Sequence, residues 1–230
     1  MHVLAVDTST RCGAVGIAKD GIPIAEISLL SQENHSARLL PAIDWVLEAA
    51  RLTLAEIDGF GVVTGPGSFT GLRVGLATIK GLAWAERKPV AALESLRVLA
   101  QAFVSTDRSV VPMLDARKGR VWAAVYRWSG GQLITSVPPA DVSVTDLMAR
   151  LPEGAVFLGD GARRYGEEIR SALGETALFA PAWFDVPRGG IAAAMAWESI
   201  RNGETSDIVS LEPNYLRLSE AELHDQKLGK

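Results

Sequence analysis

The stretch VLAVDTSTRCGAVGIAKDG (3–21) is the most informative segment for the fold, because a similar stretch occurs again in the second half of the chain. The segment VVPMLDARKGRVWAAVYRWSGG (110–131) aligns with it at a constant offset, which places Asp115 on Asp7 and Val125 on Ile17. In both copies an apolar strand ends in Asp, and a polar turn and a second strand follow. Short αβ segments can align by chance, but an offset of about half the chain favours a duplication.

The remaining pattern extends both copies in the same order. In the first half, apolar segments joined by the tight-turn dipeptide Asp20-Gly21 predict three strands. Apolar residues at helical spacing then predict a helix over 34–51, and a glycine-rich turn leads into a second long helix over 68–87. Strands and helices alternate through the second half as well, which indicates an α/β protein.

Composition limits the classes of protein that need to be considered. The 23 basic and 27 acidic residues do not favour a free-standing nucleic-acid binder. A single cysteine, Cys12, rules out an intramolecular disulfide and suits a reducing compartment. The N-terminus lacks a basic region and the uncharged run 59–72 is shorter than the ~20 residues of a membrane span. We therefore expect a soluble, cytoplasmic protein without a membrane segment.

Two tandem copies of this pattern resemble the actin-like ATPase (ribonuclease H-like) fold, an α/β architecture with two lobes. The resemblance implies a first lobe at 1–105 that contains both long helices, a second lobe at 106–218 and a polar tail at 219–230. It also allows the last helix to pack back on the first lobe.

Several motifs are more specific. The segments LAVDTST (4–10), ENHSARLLP (33–41), GPGSFTGLRVGLATIKGLA (65–83), LDARKGRVWAAVY (114–126) and PNYLR (213–217) resemble the bacterial TsaB (YeaZ) family. The resemblance implies a scaffold or activating subunit, not itself an enzyme, that is required to form N6-threonylcarbamoyladenosine at position 37 of tRNA.

The same resemblance implies the partners. They are the catalytic homologue TsaD, bound directly, and the ATPase TsaE, reached through the complex, while TsaC supplies threonylcarbamoyl-AMP. ATP and metal are expected on the partner subunits, this chain requires no cofactor, and tRNA is contacted only indirectly. A homodimer of the isolated chain stays open.

The histidines do not support a catalytic centre in this chain. The catalytic homologue holds a metal with histidines after the strand that corresponds here to PVAAL (89–93), whereas the residues that follow contain none. The chain contains only His2, His35 and His224, and these are too far apart in the sequence to suggest a metal site or a catalytic triad. We therefore interpret His35 as a helix-start residue. We predict no catalytic or metal-binding residue in this chain. This count also argues against a metalloprotease-like hydrolase.

The glycine-rich block does not match the spacing of a nucleotide-binding loop, so its glycines need another explanation. Gly71 and Gly75 lie on one helical face and would allow another backbone to approach closely, whether internal or from a partner. With the apolar stripes of both helices, they predict a partner interface. Its residues are Leu39, Leu40, Ile43, Val46, Leu47, Gly71, Leu72, Gly75, Leu76, Thr78, Ile79 and Leu82.

The turn after the first strand supports the main alternative function. Asp7, Thr8 and Ser9 resemble a phosphate-binding turn, which keeps open a nucleotide-dependent small-molecule kinase of the actin-like superfamily. Asp7 and Asp115 are either a carboxylate pair that faces a cleft between the lobes or strand-end residues that bind the N–H groups of their own turns.

Overall fold

The first lobe is built on a five-stranded mixed sheet. The computed structural model describes residues 1–31, 33–103, 106–151 and 154–216, so the predicted tail 219–230 and Arg217 lie outside the described residues. The strands are β1 His2–Asp7, β2 Cys12–Lys19, β3 Ile22–Leu30, β4 Gly59–Gly65 and β5 Val90–Glu94. Their order is β3-β2-β1-β4-β5, with the first three antiparallel and β4 and β5 parallel to β1.

The second sheet repeats this topology. Its strands are β6 Ser109–Arg117, β7 Arg120–Ser129, β8 Gln132–Ser143, β9 Ala155–Leu158 and β10 Ala177–Phe179. They follow the order β8-β7-β6-β9-β10, which matches the first sheet strand for strand. The predicted duplication and the actin-like α/β fold are therefore confirmed.

The alignment of the two copies shifts by one residue in the first strand. Leu4 and Val6 face the core cluster of the first lobe's outer helices, and Val111 and Met113 take the equivalent place in the second lobe. Side chains alternate between the faces of a strand, so Asp115 projects to the opposite face from Asp7. Asp7 pairs with Ala14, whereas Asp115 pairs with Val121 and not with Trp122, a difference of one residue in register that the ungapped alignment could not show.

Seven α-helices complete the part of the chain that the structure describes. They are α1 His35–Ala50, α2 Phe69–Glu86, α3 Ser95–Gln101, α4 Val144–Met148, α5 Asp160–Arg164, α6 Gly166–Leu173 and α7 Gly189–Arg201. Helix α5 ends at Arg164 and α6 starts at Gly166, so Tyr165 alone separates these two short helices. Across the described ranges, none of the helices is both long and apolar enough to cross a bilayer.

The helices form layers on both faces of the two sheets. Helices α1 and α2 cover the outer face of the first sheet, while α4 and α6 cover the outer face of the second. The inner faces meet α7 and α3: α7 packs on the first sheet through Ala192, Ala193 and Ala196, and α3 packs on the second. Helix α3 follows the first sheet along the chain but packs mainly on the second sheet, whereas α7 follows the second sheet but packs on the first. The two helices therefore connect the lobes.

Candidate functional site

The glycine-rich turn before α2 packs against the turn that follows β1. Ser68 N donates a hydrogen bond to Ser9 O at 2.7 Å, and Thr8 Oγ1 donates to Gly71 O at 2.8 Å. A Cβ at Gly71 would lie 2.1 Å from Thr8 O, and one at Gly75 would lie 2.3 Å from Thr8 Oγ1. The close approach that these glycines allow is therefore internal to the chain.

The predicted interface residues lie mostly on the inward side of their helices. Leu39, Ile43, Val46, Leu47, Leu76 and Ile79 belong to the core between α1, α2 and the first sheet, and Leu72 is fully buried. Thr78 and Leu82 are half-buried, and only Leu40 is exposed. The apolar stripes bury surface against the chain's own sheet, so the side chains that could meet a partner must be sought on the opposite side.

That opposite side carries large apolar groups as well. Leu40 and Trp45 of α1 are 52% and 48% exposed, and Trp84 of α2 is 70% exposed. The exposed small residues Ala77 and Gly81 lie on the outward side of α2, with nothing within 4 Å of a Cβ built at Gly81. We call these five residues the outer helical face. A tryptophan on the polar side of an amphipathic helix is the sequence signal for this face, and neither Trp45 nor Trp84 is among the predicted interface residues.

A cleft of about 950 Å³ lies between the two lobes. The first lobe contributes the turn at 9–11, the start of α1 and the glycine-rich turn, and the second lobe contributes the 114–118 turn and Asp160. Tyr215 borders the same cleft. Both signs of charge line it, with Arg11 and Arg117 among the cations and Glu33 among the anions.

The three residues predicted to bind nucleotide are engaged within the chain. Asp7 and Thr8 are buried and do not line the cleft, whereas Ser9 does. Ser9 donates both its N–H, at 2.8 Å, and its Oγ, at 2.6 Å, to Asp7 Oδ1. Thr8 Oγ1 donates to Gly71 O, so the hydroxyls of both Thr8 and Ser9 donate within the chain.

Asp7 is an unusual carboxylate because it is fully buried and its Oδ2 has no hydrogen-bond partner. Burial raises the pKa of Asp7 to about 6, against the opposing effect of the two hydrogen bonds from Ser9. The carboxylate closes its own turn, as one of the two interpretations of Asp7 expected.

This raised pKa predicts a pH-dependent stability. The folded state binds the proton of Asp7 more tightly than the unfolded chain does, because the pKa is about 6 in the folded state and about 4 in the unfolded chain. Protonated Asp7 therefore stabilises the fold at low pH, and this stabilisation is lost as pH rises from about 4 to about 6. We expect wild type to lose about 3 kcal/mol of unfolding free energy over this window relative to Asp7→Asn. Urea denaturation of both proteins from pH 3.5 to 7.5 measures it; parallel pH profiles would contradict the burial of a charged Asp7.

Asp115 also binds its own turn, but in a different environment. Its Oδ1 accepts from Arg117 N at 2.9 Å, its Oδ2 accepts from Arg164 Nη1 at 2.9 Å, and its backbone N–H donates to Asp160 Oδ1 at 3.0 Å. Burial is the main reason that the pKa of Asp160 is raised. These bonds support the strand-end interpretation of Asp115 rather than a carboxylate pair with Asp7.

His35 is the first residue of α1, as predicted, and both of its ring nitrogens are engaged. Nε2 lies 2.8 Å from Thr10 O, so it must donate, and Nδ1 then accepts from Arg38 Nη2 at 3.1 Å. Burial lowers the pKa of His35, which favours this neutral tautomer. Within the described residues no three His, Cys, Asp or Glu side chains are grouped to hold a metal ion.

Known proteins are similar to this chain in sequence and in fold. The chain is 32% identical over 225 residues to the tRNA threonylcarbamoyladenosine biosynthesis protein TsaB of Bacillus subtilis, and the match covers 96% of both chains. The Escherichia coli protein of the same name is 29% identical over 228 residues, covering 94% of this chain and 95% of that one. The chain belongs to the TsaB (YeaZ) family.

Two further comparisons agree with this family. A crystal structure of a Pseudomonas aeruginosa protein, described as uncharacterized with similarity to the peptidase YeaZ, superposes with a TM-score of 0.80 at 25% identity. The superposition covers 94% of this chain and 99% of that one. Residues 28–223 also match the family model of TsaD, described as tRNA N6-adenosine threonylcarbamoyltransferase. This chain thus contains a domain similar to that of the TsaD family.

Proposed function

We propose that this chain is a cytoplasmic, non-catalytic subunit of the machinery that forms N6-threonylcarbamoyladenosine in tRNA. It would act by binding a TsaD-like catalytic homologue and holding it in a competent form. The observation that carries the proposal is the match to TsaB proteins over nearly the full length of both chains. Those relatives take their name from threonylcarbamoyladenosine biosynthesis, and this is the process that we assign to the chain.

The outer helical face supports the choice of partner. Helices α1 and α2 both lie within the residues that match the TsaD family model, so a TsaD-like protein is expected to present a related pair of helices. Two related helix pairs can meet face to face around a pseudo-two-fold axis. Exposed tryptophans such as Trp45 and Trp84 are common anchors of protein interfaces. The same face would also support a homodimer of the isolated chain.

The engaged polar groups support a non-catalytic role. His35 uses both ring nitrogens, and Asp7 and Thr8 are buried away from the cleft surface. We therefore place ATP and metal chemistry on the partner subunits. A TsaE-like ATPase would be reached through the complex, and tRNA would be contacted through the partner.

Reconstitution tests this function. Purified TsaC, TsaD and TsaE are incubated with tRNA, threonine, bicarbonate and ATP, with and without this chain, and modified nucleoside is quantified by mass spectrometry. We expect product only when this chain and TsaD are both present. Equal product without this chain would refute the proposed role. Product from this chain without TsaD would refute its non-catalytic character.

A further inference from the structure

The described chain ends in a segment that runs back across the first lobe beside α2. We call residues 206–216 the C-terminal strap. Ser206 N donates to Val90 O at 2.8 Å, next to the end of α2. Lys80 Nζ then donates to Val209 O at 3.1 Å and to Leu211 O at 2.9 Å. The strap therefore runs antiparallel to α2 and is bonded to the flank of the helix.

The far end of the strap is held at the start of α2. Asn214 N donates to Thr64 O at 2.7 Å, and a Cβ at Gly65 would lie 2.4 Å from Asn214 O, so only glycine leaves room for the strap there. This contact fixes the backbone of the strap against the end of β4, immediately before the glycine-rich turn.

Tyr215 completes the attachment through an aromatic and cationic cluster. Its ring stacks on Phe69 with the ring centroids 4.8 Å apart, and Arg73 Nε donates to Tyr215 Oη at 2.9 Å. The Arg73 guanidinium also lies 3.8 Å from the centroid of the Phe69 ring. Stacking and cation–π contacts each contribute about 1 kcal/mol, so this cluster is a specific anchor rather than a loose contact.

The strap contacts the flank of α2 that borders the outer helical face, and it leaves Trp84 70% exposed. Phe69, Arg73 and Lys80 are separated by four and seven residues, so they share that flank. Ala77 and Trp84 point outward, and Leu76 and Ile79 point into the core. On the other flank, His35 of α1 approaches Gly71. Among the described residues, helix α2 is thus contacted by the sheet, by α1 and by the strap, and its outward side at Ala77 and Trp84 is exposed.

We propose that the C-terminal strap is a positioning element for partner binding, with Tyr215 as its anchor. The inference rests on the proposed function, since it concerns the same outer helical face. Docking two helix pairs requires α2 to be fixed beforehand, because any freedom of the helix must be lost on association. The strap removes that freedom along the first turns of α2, where Tyr215 contacts Phe69 and Arg73.

The test compares strap variants in binding to purified TsaD, measured by isothermal titration calorimetry. Tyr215→Ala removes the stack and the hydrogen bond and is expected to weaken binding about tenfold or more. Tyr215→Phe keeps the stack and is expected to restore affinity to within about threefold of wild type. Trp183→Ala, which removes an exposed aromatic residue of the second lobe, is the matched control and should bind as wild type.

Far-UV circular dichroism and thermal unfolding accompany each titration. If Tyr215→Ala does not fold, Lys80→Met is titrated in its place, because this variant removes both hydrogen bonds to the strap carbonyls. It is expected to weaken binding to TsaD about threefold or more. Wild-type affinity in a folded Tyr215→Ala protein, or an equal loss in Trp183→Ala, would overturn the positioning role. If wild type itself does not bind TsaD, the proposed function fails, a result distinct from failure of the strap alone.

Discussion

Gly71→Ala is expected to destabilise the protein by about 3 kcal/mol or more. The added Cβ would lie 2.1 Å from Thr8 O, and the clashing atom is a backbone carbonyl at the end of a buried strand rather than the end of a flexible side chain. Relief requires α2 to move away from the first sheet. That movement would break the bond from Thr8 Oγ1 to Gly71 O and disturb the core around Leu72.

Gly81→Ala is the matched control, because it makes the same change in the same helix. Nothing lies within 4 Å of a Cβ at Gly81, so the variant should be more stable than wild type by about 1 kcal/mol through helix propensity alone. Urea denaturation followed by circular dichroism measures both free energies of unfolding. If both variants were equally stable, the close contact between α2 and the turn after β1 would be refuted.

Trp84→Glu is expected to abolish binding to a TsaD-like partner while the protein stays folded. The side chain is 70% exposed in the isolated chain, so its replacement costs the fold little. In the proposed complex the same position is buried, where truncating a tryptophan anchor removes up to about 4 kcal/mol and an unpaired carboxylate adds a desolvation cost. We therefore expect affinity to fall by a factor of at least about 100.

Trp183→Glu is the control for this experiment, because Trp183 is 69% exposed but lies outside the outer helical face. It should bind as wild type in titration calorimetry and co-elute with the partner in size-exclusion chromatography. Wild-type binding by Trp84→Glu would move the interface to another surface. An equal loss in both variants would attribute the effect to added charge rather than to the face.

The candidate interface shows where sequence analysis succeeds and where it fails. Both helices were predicted within one residue of their observed ends, because apolar spacing reports helical structure directly. The same spacing does not separate side chains that face solvent from side chains that face the chain's own sheet. Residues such as Ile43 and Ile79 form the apolar stripe that the chain buries against its own sheet, so they mark the core rather than the docking surface. Trp84 lies off that stripe and is 70% exposed, so it is the side chain that the proposed complex would bury.

The cleft residues show a similar division. The sequence indicated that Asp7 ends a strand and that a turn follows it, and the structure agrees. It could not indicate that Asp7 and Thr8 are buried, because their burial depends on the glycine-rich turn some 60 residues later in the chain. The C-terminal strap is even less predictable from the sequence, because nothing in the segment PNYLR indicates that Tyr215 stacks on Phe69.

Local periodicity and sequence motifs were sufficient to predict the strands, the long helices, the duplication and the family. The folded chain was needed to show that the glycines of α2 face Thr8, that the predicted interface residues lie inward and that the C-terminal strap is bonded to α2. The physical reason is that periodicity defines the faces of an element. What each face contacts is set by the packing of segments far apart in the chain.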